Sequence, residues 1–160
     1  MNLYLIIFTW FLYHFIEYCL HKLGHSSYSG YINKTHKKHH IIFYPPTKLM
    51  DIPPYKTGYI YGISDGILAY GPLVLLMISI FYYCLNTYYF YCITSQFLLS
   101  GYIQDYVHTH IHTKGSWLEK YKWFQDCRKR HFIHHRQYNK NINIIDPTVD
   151  RIMNSYKLYE

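Results

Sequence analysis

The sequence predicts an all-α integral membrane protein, a bundle of about three transmembrane helices carrying a cytosolic, histidine-rich helical cap. Three observations predict it. The 16 Lys and Arg are segregated, six between Lys22 and Lys56 and ten between Lys114 and Lys157, with none in residues 1–21 or 57–113. The cation-free stretches are strongly apolar, so the mean hydropathy of -0.16 averages two unlike parts of the chain. Ten of the 12 histidines recur in four clusters, His21-x-x-x-His25, His36-x-x-His39-His40, His108-x-x-x-His112 and His131-x-x-His134-His135.

The first helix is expected over 3–24. Its run LYLIIFTWFLYHFIEYCL is apolar except for His14 and Glu17, and with one further turn it reaches the ~30 Å of a bilayer core. It lacks the basic start and small-residue cleavage site of a signal peptide, so it reads as a retained helix. His14 lies seven residues before His21, on the same face and about 10 Å deeper. An ionisable residue inside a membrane helix is functional by default. His14 and Glu17 therefore either line a cavity beside the histidines or serve a structural hydrogen bond or a snorkelling role.

The polar stretch 25–58 carries two clusters. Within it KTHKKHH reads as a short surface helix, and Pro45, Pro46, Pro53 and Pro54 forbid regular helix beyond. An extended run back to the membrane is expected there. Two further apolar runs, 60–85 and 88–107, are separated only by Asn86 and Thr87 and read as a helical hairpin. Gly62, Gly66, Gly71 and Pro72 loosen its first arm for close packing or a bend. Asp65 and Asp105 fall near the ends that return to the basic side.

Positive residues stay cytoplasmic, so one helix, one loop, one hairpin and one tail give three crossings. All four histidine clusters then emerge on one side of the membrane. In the tail, 108–160, His108 and His112 share a helical face while His110 points away from it. WLEKYKWFQDCRKRHFIHH reads as a basic amphipathic helix with Trp117 and Trp123 at the interface.

Side chains at i, i+3 and i+4 of a helix present to one side, so each cluster can offer its imidazoles to a common point. Imidazole suits iron, zinc and copper, and one ion takes at most about six donors, so two ions is the natural count. A net charge of +7 would also suit a nucleic-acid binder. No nucleic-acid motif accompanies it, and anionic lipid headgroups are the simpler partner. Cys19, Cys84, Cys92 and Cys127 form no C-x-x-C pair and read as reduced residues.

The boxes EYCLHKLGH, HKKHH, DYVHTHIH and RHFIHH, followed by NINIIDPTVDRI, resemble the fatty acid hydroxylase and sterol desaturase superfamily of membrane di-metal oxygenases. The resemblance covers about Glu17 to Ile152 as one domain. It implies two irons, with zinc as a possible replacement, dioxygen as cosubstrate, and a fatty acyl chain or sterol as substrate. Electrons would come from a separate donor such as a b-type cytochrome or reductase. Carried over box by box, the ligands are His21, His25, His36, His39, His40, His108, His112, His131, His134 and His135. Asp105 and Asp150 match recurrent family positions and would orient imidazoles or tie the tail to the cap.

The metal site would lie on the cytosolic face, in an endoplasmic reticulum-type membrane for a eukaryotic chain or a viral one in a eukaryotic host. Carotenoid hydroxylases are the nearer rival, with a comparable box order, but the DPTVDRI tail favours the fatty acid and sterol group. Acyl-lipid desaturases use three boxes. A non-catalytic metal-binding or metal-transport protein is the alternative of another class, although a transporter places its ligands near mid-membrane.

Overall fold

The computed structural model describes residues 3–58 and 70–158. Among them there is no β-strand, and six α-helices follow in order. They are α1 (Leu3–His25), α2 (Tyr31–Lys38), α3 (Gly71–Cys84), α4 (Thr87–Ile111), α5 (Lys122–Arg136) and α6 (Thr148–Ile152). A π-helical turn, His39–Phe43, continues α2, and a 3-10 turn, Trp117–Lys120, precedes α5.

Local chemistry sets the boundaries. Gly30, at φ +53°, starts α2, and the Asn33 amide at 2.9 Å from the Gly24 carbonyl pins that start onto α1. Pro72 occupies the first turn of α3, where a missing N–H costs nothing. Asn86 caps α4 by accepting from the Tyr89 N–H at 3.1 Å. Ser116 and Glu119 form a reciprocal capping box, which starts a separate 3-10 turn. The expected single helix over WLEKYKWFQDCRKRHFIHH is therefore broken at Tyr121, and only its part from Lys122 is α-helical.

The hairpin arm expected at 60–85 is described as α3 alone; residues 60–69, with Gly62, Asp65 and Gly66, lie outside the described residues. Its partner α4 runs past 107 to Ile111, so His108 stands inside the helix. Only α1 among the described helices is both long and apolar enough to cross a membrane. α3 has 14 residues, short of the ~20 needed. α4 has the length, but its own polar residues dilute its hydrophobicity. The proline-rich stretch does not simply run outward. Asp51 pairs with the end of α4, its N–H on the His112 carbonyl at 2.9 Å and its carbonyl accepting from Lys114 at 3.0 Å.

Two apolar clusters hold these parts together. Tyr13, Val74, Phe81, Ile93 and Phe97 pack α1, α3 and α4 against one another. Val107, Ile111, Phe124, Cys127 and Ile144 join the far end of α4 to α5 and the tail. Outside the first cluster lies a belt of bare apolar side chains, including Tyr4 (82% exposed), Leu75 (65%) and Leu99 (57%). Exposed apolar side chains in such number mark a surface that meets something other than water.

Candidate metal centre

Four segments deliver ten histidines to one place. His21 and His25 stand one turn apart at the end of α1, and His108 and His112 likewise at the end of α4. The remaining six come from α2 with its π-turn and from the last turns of α5. Every predicted metal-site histidine is brought in. They form two groups whose donor atoms lie within 4.8 Å of one another, one of His21, His25, His36, His40 and His134, the other of His39, His108, His112 and His131. His135 stands between the two, grouped with His39 of the second and His40 of the first, its Nε2 3.2 Å from that of His39 and 3.1 Å from that of His131.

This partition corrects the expectation that each cluster serves one common point. His36 and His40 face each other with Nε2 atoms 3.1 Å apart, while His39 turns to the second group. His134 likewise leaves its neighbours and sits with its Nε2 3.0 Å from that of His25. Adjacent residues on a helical turn diverge by about 100°, so the His-His pairs must point to different centres. Both three-histidine clusters therefore bridge the two groups, which touch where the His40 and His135 rings approach to 4.0 Å.

The donor atoms are prepared for metal. His112, His134 and His135 donate from Nδ1 to the carbonyls of Leu49 (2.7 Å), Lys140 (2.9 Å) and Tyr44 (2.8 Å). That fixes the tautomer with the Nε2 lone pair facing inward. Burial, reinforced by a neighbouring histidine, depresses the pKa of His39 to about 3. The same causes hold His36, His40, His112, His131, His134 and His135 well below 6.5, and the carbonyl bonds do not reverse the shift. Neutral imidazoles are the form that binds metal. Close Nε2 pairs span 3.0–3.2 Å. Two nitrogens about 2.1 Å from one ion lie about 3.0 Å apart at a right angle and about 3.4 Å apart at a tetrahedral one.

His110 stands apart, as its phase on α4 predicts. Its Nδ1 meets Ser116 Oγ at 2.9 Å and its ring packs on Tyr106. Glu17 is buried one turn before His21. It accepts from His14 Nδ1 (2.7 Å), Asn143 Nδ2 (2.8 Å) and the Ile144 N–H (2.8 Å). The Gln104 amide nitrogen, turned toward the carboxylate, adds a bond of 2.9 Å from α4. Glu17 thus ties α1 to α4 and to the tail, and His14 serves this knot through its hydrogen bond. Asp150 touches no histidine. Its carboxylate accepts from Ile142 N, Asn143 N and Ser155 Oγ and shapes the segment that reaches Glu17. Asp105 is half-buried one turn before His108.

Beside both groups lies a cavity of about 40 Å³, walled by Tyr13, Ile16, Leu20 and Phe97 and ending on His21, His36 and His108. Glu17 lines it as well. Three aromatic neighbours escaped the sequence reading. Tyr44 stacks on His112 at 4.2 Å, Tyr55 meets His39 Nδ1 at 3.2 Å, and Tyr138 stacks on His25 at 5.1 Å. Among 21 tyrosines nothing in the sequence singles these out. A profile of the fatty acid hydroxylase family matches residues 6–155. No curated protein and no solved structure matches the chain.

Proposed function

We propose that this chain, which belongs to the fatty acid hydroxylase family, is an integral membrane di-iron oxygenase acting on a fatty acyl chain or a sterol. The observation that carries this reading is the pair of histidine groups, of five and of four with His135 between them, whose donor atoms converge beside an apolar cavity. Nε2 atoms that approach one another to 3.0–3.2 Å are donors that one ion could share, and imidazole suits iron. When bound, two irons supply the dioxygen chemistry that breaks an unactivated C–H bond.

The chain's own residues do the rest. The histidines hold the ions with neutral donors, and the carbonyls of Leu49, Lys140 and Tyr44 hold the rings in orientation. Tyr13, Ile16, Leu20 and Phe97 offer an acyl chain or sterol ring an apolar wall that excludes water and ends at the histidines. The bare belt on α1, α3 and α4 supports a lipid surround, with α1, the arm ending in α3, and α4 as three crossings. Segregated Lys and Arg support a cytosolic cap. Reducing one atom of dioxygen to water takes two electrons and two protons per turnover, and the electrons come from a separate carrier protein.

Lipid and sterol profiling of cells expressing the wild-type chain or His135→Ala tests this. A new oxidised lipid, absent with His135→Ala, is expected. Iron bound at about two per chain with no oxidised product from any lipid or sterol would leave a metal-binding protein and refute the oxygenase.

A further inference from the structure

We infer that the strap following the π-turn is the outer frame of the second histidine group, with Tyr55 as its positioning residue. Binding of an ion there and closure of the strap then stabilise each other; this rests on the metal centre of the oxygenase reading. Residues 44–56 leave the π-turn, meet the end of α4 and return to their own start, where the Lys56 N–H donates to Tyr44 Oη at 2.8 Å. Asp51 fastens the middle to the end of α4, its N–H donating to the His112 carbonyl and its carbonyl accepting from the Lys114 N–H. Along this path the strap meets the outer nitrogens of three histidines that come from three different helical segments. His135 Nδ1 donates to the Tyr44 carbonyl at 2.8 Å, His112 Nδ1 donates to the Leu49 carbonyl at 2.7 Å, and His39 Nδ1 lies 3.2 Å from Tyr55 Oη. His39 and His112 belong to the second group, and His135 is grouped with His39. His134 of the first group rests instead on the Lys140 carbonyl, outside the strap.

Tyr55 differs in kind from the two carbonyls. A carbonyl only accepts and so fixes the ring proton on Nδ1, whereas a hydroxyl donates or accepts. Donation from Tyr55 to Nδ1 would put the ring proton on Nε2 and remove His39 as an inward donor. An ion bound through Nε2 therefore selects the arrangement in which His39 Nδ1–H donates to Tyr55 Oη. Stacking holds the hydroxyl in place for this. The Tyr55 ring lies 5.5 Å from that of Tyr44 with an interplanar angle of 18°, and the Tyr44 ring in turn stacks on His112 at 4.2 Å. The residue after Tyr55 is the one bonded to Tyr44 Oη, so the position of the Tyr55 ring follows closure of the strap, and the orientation of His39 follows the ring. Linkage makes the effect reciprocal: whatever factor the closed strap adds to ion affinity, the ion returns to strap closure. Opening the strap removes the outer bonds of three histidines together, a coupling that Lys140, which holds one, does not provide.

The test uses the full chain in lipid discs, titrated anaerobically with iron(II) against a competing chelator. Tyr55→Phe keeps the stacking ring and removes the oxygen. It should weaken one of the two ions about ten- to hundredfold, while the metal-free protein melts as the wild type does. The same loss should appear in a His21→Ala background, where the first group is dismantled and the weakened ion is the second. Closure is read by trypsin at Lys48, which is exposed on the strap. Iron should slow cleavage after Lys48 about tenfold or more, because cleavage tracks the open population, and in Tyr55→Phe this protection should need correspondingly more iron. Wild-type affinity for both ions in Tyr55→Phe overturns the proposal, as does equal cleavage after Lys48 with and without iron. A loss of affinity accompanied by a lower melting temperature of the metal-free protein would make Tyr55 a packing residue and also overturn it. Two bound ions, a strap protected by iron and a Tyr55-dependent second site, with no oxidised lipid, would uphold the frame and refute the oxygenase. An oxidised lipid made by a protein whose strap is indifferent to iron would do the reverse.

Discussion

Replacing Gly24 by alanine tests how the first histidine group is assembled. Gly24 lies between His21 and His25 where α1 and α2 cross, and a Cβ there would stand 3.2 Å from His36 Cγ and Cδ2 and 3.0 Å from Tyr70 Oη. Carbon atoms in good contact keep about 3.5–4.0 Å, so the His36 ring must retreat by roughly 0.3 Å or more. Metal–nitrogen distances tolerate only about 0.2 Å. The ring cannot retreat freely, because α2 is fastened to α1 by Asn33 and continues directly into His39 and His40. Overpacking of this kind costs about 1–3 kcal/mol, whereas alanine in place of glycine returns up to ~1 kcal/mol of helix propensity.

The apoprotein should therefore melt close to wild type while the first group binds metal more weakly. A penalty of about 1.4–2.8 kcal/mol on one site is a ten- to hundredfold loss of affinity. Elemental analysis after dialysis against graded chelator should show iron falling from about two per chain to about one, with the group of His39, His108, His112 and His131 still loaded. Thermal melts of the apoprotein provide the control. Full loading of Gly24→Ala at wild-type affinity would refute the close approach of α1 to His36 as the basis of this group.

Other perturbations separate neighbouring roles. His108→Ala and His112→Ala should each lower metal content and abolish oxidation, while His110→Ala, whose ring faces Ser116 and Tyr106, should leave metal largely intact; equal losses from His110→Ala and His112→Ala would contradict the partition. Glu17→Gln puts an amide nitrogen against buried N–H donors and should destabilise by about 2–4 kcal/mol, read as a melting temperature lower by several degrees; an unchanged melt would show that the carboxylate does not hold α1 to the tail. Accessibility tags at Asn86 should report the side opposite to tags at Lys37 and Lys140, as the charge segregation requires. Tags at Lys37 and Lys140 that report different sides would refute the topology.

The all-helical architecture was legible because its signals are coarse. A cation-free apolar run is visible without knowing what packs against it, and α1 appears within one residue of the expected 3–24. The breaks were not legible. The Ser116–Glu119 capping box stands where the amphipathic pattern starts a helix, but it starts only the 3-10 turn Trp117–Lys120; the chain is extended at Tyr121, and α5 begins anew at Lys122. The strap from Pro45 to Gly58 reads only as non-helical in sequence. Its pairing with the end of α4 through Asp51 and its delivery of the Leu49 carbonyl to His112 depend on contacts more than sixty residues apart.

The histidines were legible one by one, whereas their division between two groups was not. Spacing of i, i+4 fixes a pair on one side of a helix, and the pairs His21/His25 and His108/His112 each stay within a single group. A third, adjacent histidine adds a direction rather than a ligand to the same ion. His39 beside His40, and His134 beside His135, diverge by the helical angle, and the π-turn adds its own change of phase after Lys38. Which ring meets which group then depends on how α2 and α5 are set against α1 and α4, through Asn33, Tyr44, Lys140 and Glu17. None of these four is a histidine, and of them only Glu17 stands out in the sequence, as an ionisable residue in an apolar run. The consequence is mechanical: α2 with its π-turn and α5 each carry histidines of both groups, so neither group can be displaced on those segments without straining the other.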